Sequence, residues 1–287
     1  VSDQQQHIHP AALFGKSPVP PGGSSATAGE LGREIRNLFV RQSHRSPRSV
    51  QRAPGPSELG VECDRAAVSK LAGIPETWHG VDPWPSIVGL ALDEYLKTYF
   101  RNENALSGYQ RWICDGRVAA HPRYPGTSDV YDTVTYTVID MKAQGDSTRA
   151  KLMGPDAPGQ RYYIQLLHYA QGWRNAGWRV DRIAIVSLPR TKSSLAEMYV
   201  WDKFLTPEDD AALARNLIQI EARRHAAQLV MNRQLPLDQV KRTSGFMCGL
   251  CSWYRPESAR DGDFTRGCPG HSVSDDAQPF TRQAPAA

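Results

Sequence analysis

The sequence predicts a mixed α+β (α/β) fold built on one core, and three observations lead there. A helical pattern covers residues 86–101, a stretch rich in Thr, Tyr, Val and Ile follows over about 117–143, and a second helix at 160–178 hands over to an apolar strand at 182–188. Helix, β-meander, helix and strand in that order belong to mixed proteins with one central sheet. At 287 residues the chain can bury a sizeable core, and its length allows one or two domains.

Taken in order, residues 1–27 are rich in Gln, Pro, Gly and Ser and read as a disordered tail. Residues 28–42 are helical, with Leu31, Ile35, Leu38 and Phe39 on one side. Residues 43–60 return to loop chemistry, and their arginines read as a solvated linker. A short helix at 63–72 carries Arg65 and Lys70. Ser86 is the expected N-cap of the next helix, whose apolar stripe is Ile87, Leu90, Ala91, Tyr95 and Leu96. The glycines and prolines of 151–159 predict a loop, and 197–204 a further strand. Pro207 at a first helical position, followed by Glu208 and Asp209, opens a helix to about Asn232. The chain then becomes loop-like around a cysteine cluster, and 272–287 read as a second disordered tail. One domain over 28–271 between two tails is the expected organisation.

The charge balance, 34 Lys+Arg against 30 Asp+Glu, is mildly basic; it permits a nucleic-acid partner without requiring one. No apolar run is long enough to span a bilayer, and the first residues show no basic-then-apolar signal pattern. A cytoplasmic protein is therefore expected. In a reducing compartment its five cysteines point to metal or redox roles rather than disulfides.

The candidate chemistry lies in the β-rich stretch. Asp140 and Lys142 are two apart on a predicted strand, so both side chains share a face. Asp129 lies on the preceding run, and a hairpin would set it beside Asp140. Two close carboxylates bind a hard divalent cation through oxygen, and a lysine beside them can orient water or stabilise charge on a phosphate. Downstream, Gln165 and Tyr169 are four apart on a predicted helix, hence on one face, where an amide and a phenol can hold a phosphate or a water. Each piece alone is weak, because Asp and Lys are common on exposed strands.

Together the pieces resemble the PD-(D/E)XK nuclease superfamily, and within it the RecB-like exonucleases, which include CRISPR-associated and bacteriophage-encoded members. The matching residues are Gly126 with Asp129, Asp140-Met141-Lys142, and Gln165 with Tyr169. The segment 55–65 is similar to the opening of these nucleases. The resemblance implies a restriction-endonuclease-like core and DNA hydrolysis with Mg²⁺ or Mn²⁺. Asp129 and Asp140 would be ligands and the Met141 carbonyl a further one, while Lys142, Gln165 and Tyr169 would act on water or phosphate. Where the family carries a histidine four residues after a glycine, this chain has Gly89 and Asp93. Asp93 is expected to replace that ligand; the other readings are a surface charge, or Glu94 in its place. His168 is expected to serve packing or the surface.

The spacing of Cys248, Cys251, Cys268 and His271 matches a zinc site. The resemblance implies instead a [4Fe-4S] cluster on Cys63, Cys248, Cys251 and Cys268, joining the two ends of the domain, with a longer separation between Cys251 and Cys268 than the family shows. Cys114 is expected in the core. Trp112, Tyr162, Tyr163, Trp173 and Trp178, mixed with Arg111, Arg161, Arg174 and Arg179, suggest a stacking and phosphate track for single-stranded DNA, with Trp173 expected in the core. The expected activity is exonucleolytic, on DNA ends, in recombination, repair or phage replication. A structure-specific endonuclease and a weakened DNA-binding module with a zinc site are the alternatives.

Overall fold

The computed structural model describes residues 27–45, 53–77, 82–243, 248–249, 251–255, 258 and 267–270. Apart from Thr27, the two expected tails lie outside these residues, as does His271. The chain divides into two compact units, 1–44 and 45–287.

In the first unit, helix α1 (Ala28–His44) opens with a reciprocal cap. The Thr27 N–H donates to Glu30 Oε2 at 2.7 Å and the Glu30 N–H to Thr27 Oγ1 at 3.3 Å. Its apolar residues Leu31, Ile35, Leu38 and Phe39 are exposed.

The second unit begins with the single turn α2 (Pro56–Leu59) and the short helix α3 (Asp64–Leu71). Helix α4 (Trp84–Ser107) then leads to the strands β1 (Trp112–Val118), β2 (Gly126–Asp132) and β3 (Thr137–Gln144). Two helices, α5 (Asp146–Leu152) and α6 (Gln160–Asn175), carry the chain to β4 (Arg182–Pro189). Strand β5 (Tyr199–Phe204) and helix α7 (Pro207–Met231) follow. The result is mixed α+β: five strands in sequential order, antiparallel except for the β3–β4 pair. A parallel pair needs a crossover, and α5 with α6 supply it. No helix of the described residues is long and apolar enough to cross a membrane.

The crossover helix α6 sets the core. It is buried from Ile164 through Ala170, because it packs against the sheet on one side and against α2 and α7 on others. Trp173 stacks on Tyr131 with ring centroids 4.7 Å apart, so it belongs to the core as the sequence suggested. This stacking explains Gly116: a Cβ there would stand 2.2 Å from Cζ2 of Trp173. A second apolar cluster of Val68, Ala227 and Val240 joins α3, α7 and the turn at Leu237–Gln239.

Several boundaries differ from the sequence reading. Helix α4 starts at Trp84, whose N–H donates to Asp82 Oδ1 at 2.9 Å, so Ser86 lies within the first turn and is not the cap. The face it turns inward is also rotated from the expected stripe. Leu90 and Tyr95 are exposed, whereas Val88, Leu92, Asp93, Leu96, Lys97 and Phe100 are partly or fully buried. Strand β1 begins at Trp112, earlier than expected, and a helix at Asp146–Leu152 takes in the start of the predicted loop. Helix α6 ends at Asn175, with Gly177 beyond it at φ +86°, a conformation glycine adopts without a Cβ penalty. The start of the last predicted strand is instead a turn of 3₁₀ helix at Leu195–Glu197.

Candidate active site

The site is built where β2, β3, α4 and α6 meet. The antiparallel register pairs Val130 with Ile139 and Tyr131 with Val138; continued by one step, it sets Asp129 opposite Asp140. Asp129 Oδ2 accepts the Met141 N–H at 2.9 Å, which fixes the carboxylate against the neighbouring strand. Asp140 is 1% exposed. Its Oδ1 accepts from Gln165 Nε2 at 3.0 Å, and its Oδ2 stands 2.7 Å from the Lys142 ammonium. Gln165 Nε2 is also 3.4 Å from the Tyr169 hydroxyl. The structure therefore brings Asp129, Asp140, Lys142, Gln165 and Tyr169 into one group.

Gly126 permits this approach. A Cβ at that position would lie 2.5 Å from Cγ of Pro56 and 2.8 Å from Cε1 of Tyr169. Gly126→Ala is expected to displace Tyr169 and cost about 1–3 kcal/mol, as overpacked sites do, which urea denaturation would measure.

Burial drives the electrostatics. It pushes the Asp140 carboxyl up to about 7, against the opposing charge of Lys142 and with a further push from Asp129. Burial also raises the Tyr169 phenol to about 12, aided by the Asp140 charge, so Tyr169 stays a hydrogen-bond donor. For Lys142 burial acts downward, but Asp140 and Asp129 outweigh it and hold the ammonium above its ordinary range.

Asp93 is paired with a lysine of its own helix. Its Oδ2 is 2.6 Å from Lys97 Nζ, and its Oδ1 is buried with no hydrogen bond. Glu94, the alternative, faces outward and pairs with Arg101 at 3.3 Å. Lys97, 3% exposed, also stands 2.6 Å from Asp115 and 3.5 Å from Asp129. Sequence reasoning missed Lys97 and Asp115. The available signal was the four-residue spacing of Asp93 and Lys97 on one helix face.

Among the described residues, no three His, Cys, Asp or Glu side chains form a group able to hold a metal ion. The Asp129 and Asp140 pair nevertheless fits Mg²⁺, which is commonly held by one or two carboxylates with water and substrate phosphate completing the shell. The buried Asp140 Oδ2, which stands beside the Lys142 ammonium, is the atom such an ion would use.

None of the five cysteines is in a disulfide. Burial pushes the Cys251 thiol up to about 11, and the charges of Cys268, Cys63 and Cys248 act on it in the same direction. Hydrogen bonds join the two chain segments that carry these residues: Arg65 Nε donates to the Val240 carbonyl at 3.1 Å, and the Thr77 N–H to that of Ser252 at 2.9 Å. Cys63 stands at the N-cap position of α3, with no cap hydrogen bond from its side chain. Cys114 is half-buried in β1, beside the Lys97 carbonyl. His168 is buried, with Nε2 2.9 Å from Asn216 Oδ1, and serves packing.

The expected aromatic and basic residues do not form a row of free cations. Arg111 pairs with Asp132, Arg174 with Asp210 and Arg179 with Asp181, while Arg161 donates to the Ser57 carbonyl. Three of these charges are thus paired with carboxylates of the fold.

No family model matches the chain, and no curated protein matches its sequence. Solved structures do resemble it. A phage-related exonuclease from Haemophilus somnus 129PT is 12% identical, covering 50% of this chain and 71% of its own, with a TM-score of 0.35. An alkaline exonuclease from Laribacter hongkongensis is 12% identical, covering 64% and 95% respectively, with a TM-score of 0.38. The same enzyme in complex with dAMP gives 13% identity, coverage of 59% and 89%, and a TM-score of 0.39.

Proposed function

We propose that the chain is a metal-dependent DNA exonuclease of the PD-(D/E)XK type, acting on DNA ends and preferring single-stranded DNA. The observation that supports this reading is the convergence of Asp129, Asp140 and Lys142 at one place on the sheet, backed by Gln165 and Tyr169. Asp129, Asp140 and the Met141 carbonyl would hold Mg²⁺ or Mn²⁺. Once bound, such an ion supplies Lewis-acid polarisation of a phosphoryl oxygen.

The chain's own residues prepare that chemistry. Gln165 ties down Asp140 Oδ1 and leaves Oδ2 on the side of Lys142. The Met141 N–H orients Asp129 in the same way. Lys142 places a positive charge where negative charge develops on the phosphate and can hold the attacking water. Tyr169, protonated, offers a further donor beside Gln165.

The test uses labelled linear single-stranded DNA and a covalently closed single-stranded circle, each with Mn²⁺ and with chelator. Metal-dependent release of nucleotides from the linear strand, with the circle intact, is the expected result. Cutting of the circle would make the enzyme an endonuclease on the same fold. Binding without hydrolysis would leave a DNA-binding module.

The same reading assigns a [4Fe-4S] cluster to Cys63, Cys248, Cys251 and Cys268; Arg65, two residues after Cys63, has Nη1 3.7 Å from Cys268 Sγ, and the Cys251 N–H donates to the Cys248 carbonyl at 3.1 Å. The protein purified without oxygen should be brown and carry about four irons per chain. Cys63→Ser should lose the colour and melt lower. Colourless protein with bound zinc, unchanged by Cys63→Ser, would favour a zinc site instead.

A further inference from the structure

We propose that Lys97 is a resident cation of the active site: its ammonium ties Asp93, Asp115 and Asp129 together and limits the site to one divalent ion. The proposal rests on the metal-dependent reading above and adds to it a positioning residue and a metal count.

The geometry carries the argument. Lys97 Nζ lies 2.6 Å from Asp93, 2.6 Å from Asp115 and 3.5 Å from Asp129. An ammonium has three donors, and here three carboxylates from a helix and two strands surround it. The three elements are α4, β1 and β2, so the lysine fastens the helix to the sheet beside the catalytic strands. A lysine only 3% exposed would be costly without such partners.

Asp115 is specialised for the contact. It has φ 58° within β1, and the ladder steps over it, from Cys114 opposite Val130 to Gly116 opposite Ser128. Positive φ is unfavourable for a residue with a Cβ and persists only where its surroundings enforce it. Here the carboxylate is held from both sides, by Lys97 and by Arg101.

The same oxygens cannot serve the ammonium and a divalent ion at once. Mg²⁺ requires ligands at about 2.1 Å in near-octahedral array, and it must displace any ammonium that holds those oxygens. Lys142, 24% exposed and paired with Asp140, has room to move aside, whereas Lys97, 3% exposed and set among three carboxylates, does not. Asp93 therefore acts through Lys97 and is not itself a metal ligand.

The test counts bound Mn²⁺ by electron paramagnetic resonance on the full chain without DNA. Wild type, Lys97→Arg and Lys97→Met are compared. The expected result is about one ion per chain for wild type and Lys97→Arg, and about two for Lys97→Met, whose freed carboxylates can take a divalent ion through oxygen. Mn²⁺ should also raise the melting temperature of Lys97→Met more than that of wild type. A folded Lys97→Met that binds one ion or none overturns the proposal and leaves the nuclease reading standing, provided that wild type binds one. Two ions on wild type overturn it in the same way, and this count is decisive even where Lys97→Met does not fold. No ion on either protein overturns both the proposal and the metal-dependent reading.

Discussion

Asp140→Asn should yield a folded protein that still binds DNA but hydrolyses it at least about 10²–10³-fold more slowly, the loss typical when one preorganised electrostatic group is removed. The substitution is nearly isosteric. The Asn Oδ1 can still accept the Gln165 hydrogen bond, which in wild type is 3.0 Å long. What changes is the second atom, because an amide NH₂ replaces the oxygen that faces Lys142 at 2.7 Å. An amide nitrogen is not a ligand for a hard cation, so the ion loses its buried anchor. Stability should change far less than rate, because a carboxylate 1% exposed carries a desolvation cost that the amide does not. Single-turnover digestion of end-labelled single-stranded DNA in Mn²⁺ measures the rate, and thermal melting checks the fold. Wild-type turnover would remove Asp140 from the site.

The parts of this site that were legible in the sequence are those that follow a local period. Asp140 and Lys142 share a face because strands alternate, and Gln165 and Tyr169 because four residues make about one helical turn. Asp129 needed one further step, the β2–β3 hairpin, and the loop at 133–136 is short enough to impose it. The face of α4 was misread for a physical reason. Leu90 and Tyr95 count as apolar in any pattern, yet the sheet receives Asp93 and Lys97, because the carboxylates there need a counterion. Nothing within one helix announces that its lysine will be buried; the demand comes from Asp115 and Asp129 on other elements. Arg65, which the sequence places on a short helix, is 7% exposed and reaches Val240, 175 residues away. Such long-range pairings leave no periodic trace. The arginines of the expected nucleic-acid track show the converse, since their positive charge was visible and their partners Asp132, Asp210 and Asp181 were not.

Lys142→Met should slow hydrolysis by about 10²–10³-fold while changing Mn²⁺ affinity much less, because the lysine is placed to act on charge rather than to ligate. Its nitrogen is 2.7 Å from Asp140 Oδ2 and 5.8 Å from the Tyr162 ring centroid, and its side chain is 24% exposed. It therefore spans the boundary between the buried carboxylate and the solvent from which phosphate and water arrive. Burial works against its charge, but Asp140 and Asp129 outweigh burial, so the group is an ammonium at neutral pH. An ammonium cannot accept a proton; it can hold a water by hydrogen bonding and oppose the negative charge that grows on the phosphate. Lys142→Arg separates these roles from proton transfer, since a guanidinium keeps the charge and does not deprotonate in proteins. Partial recovery in Lys142→Arg relative to Lys142→Met is the expected result, read as kcat under saturating Mn²⁺. Equal losses in the two variants would mean that proton transfer by the lysine, and not its charge, is what the reaction requires.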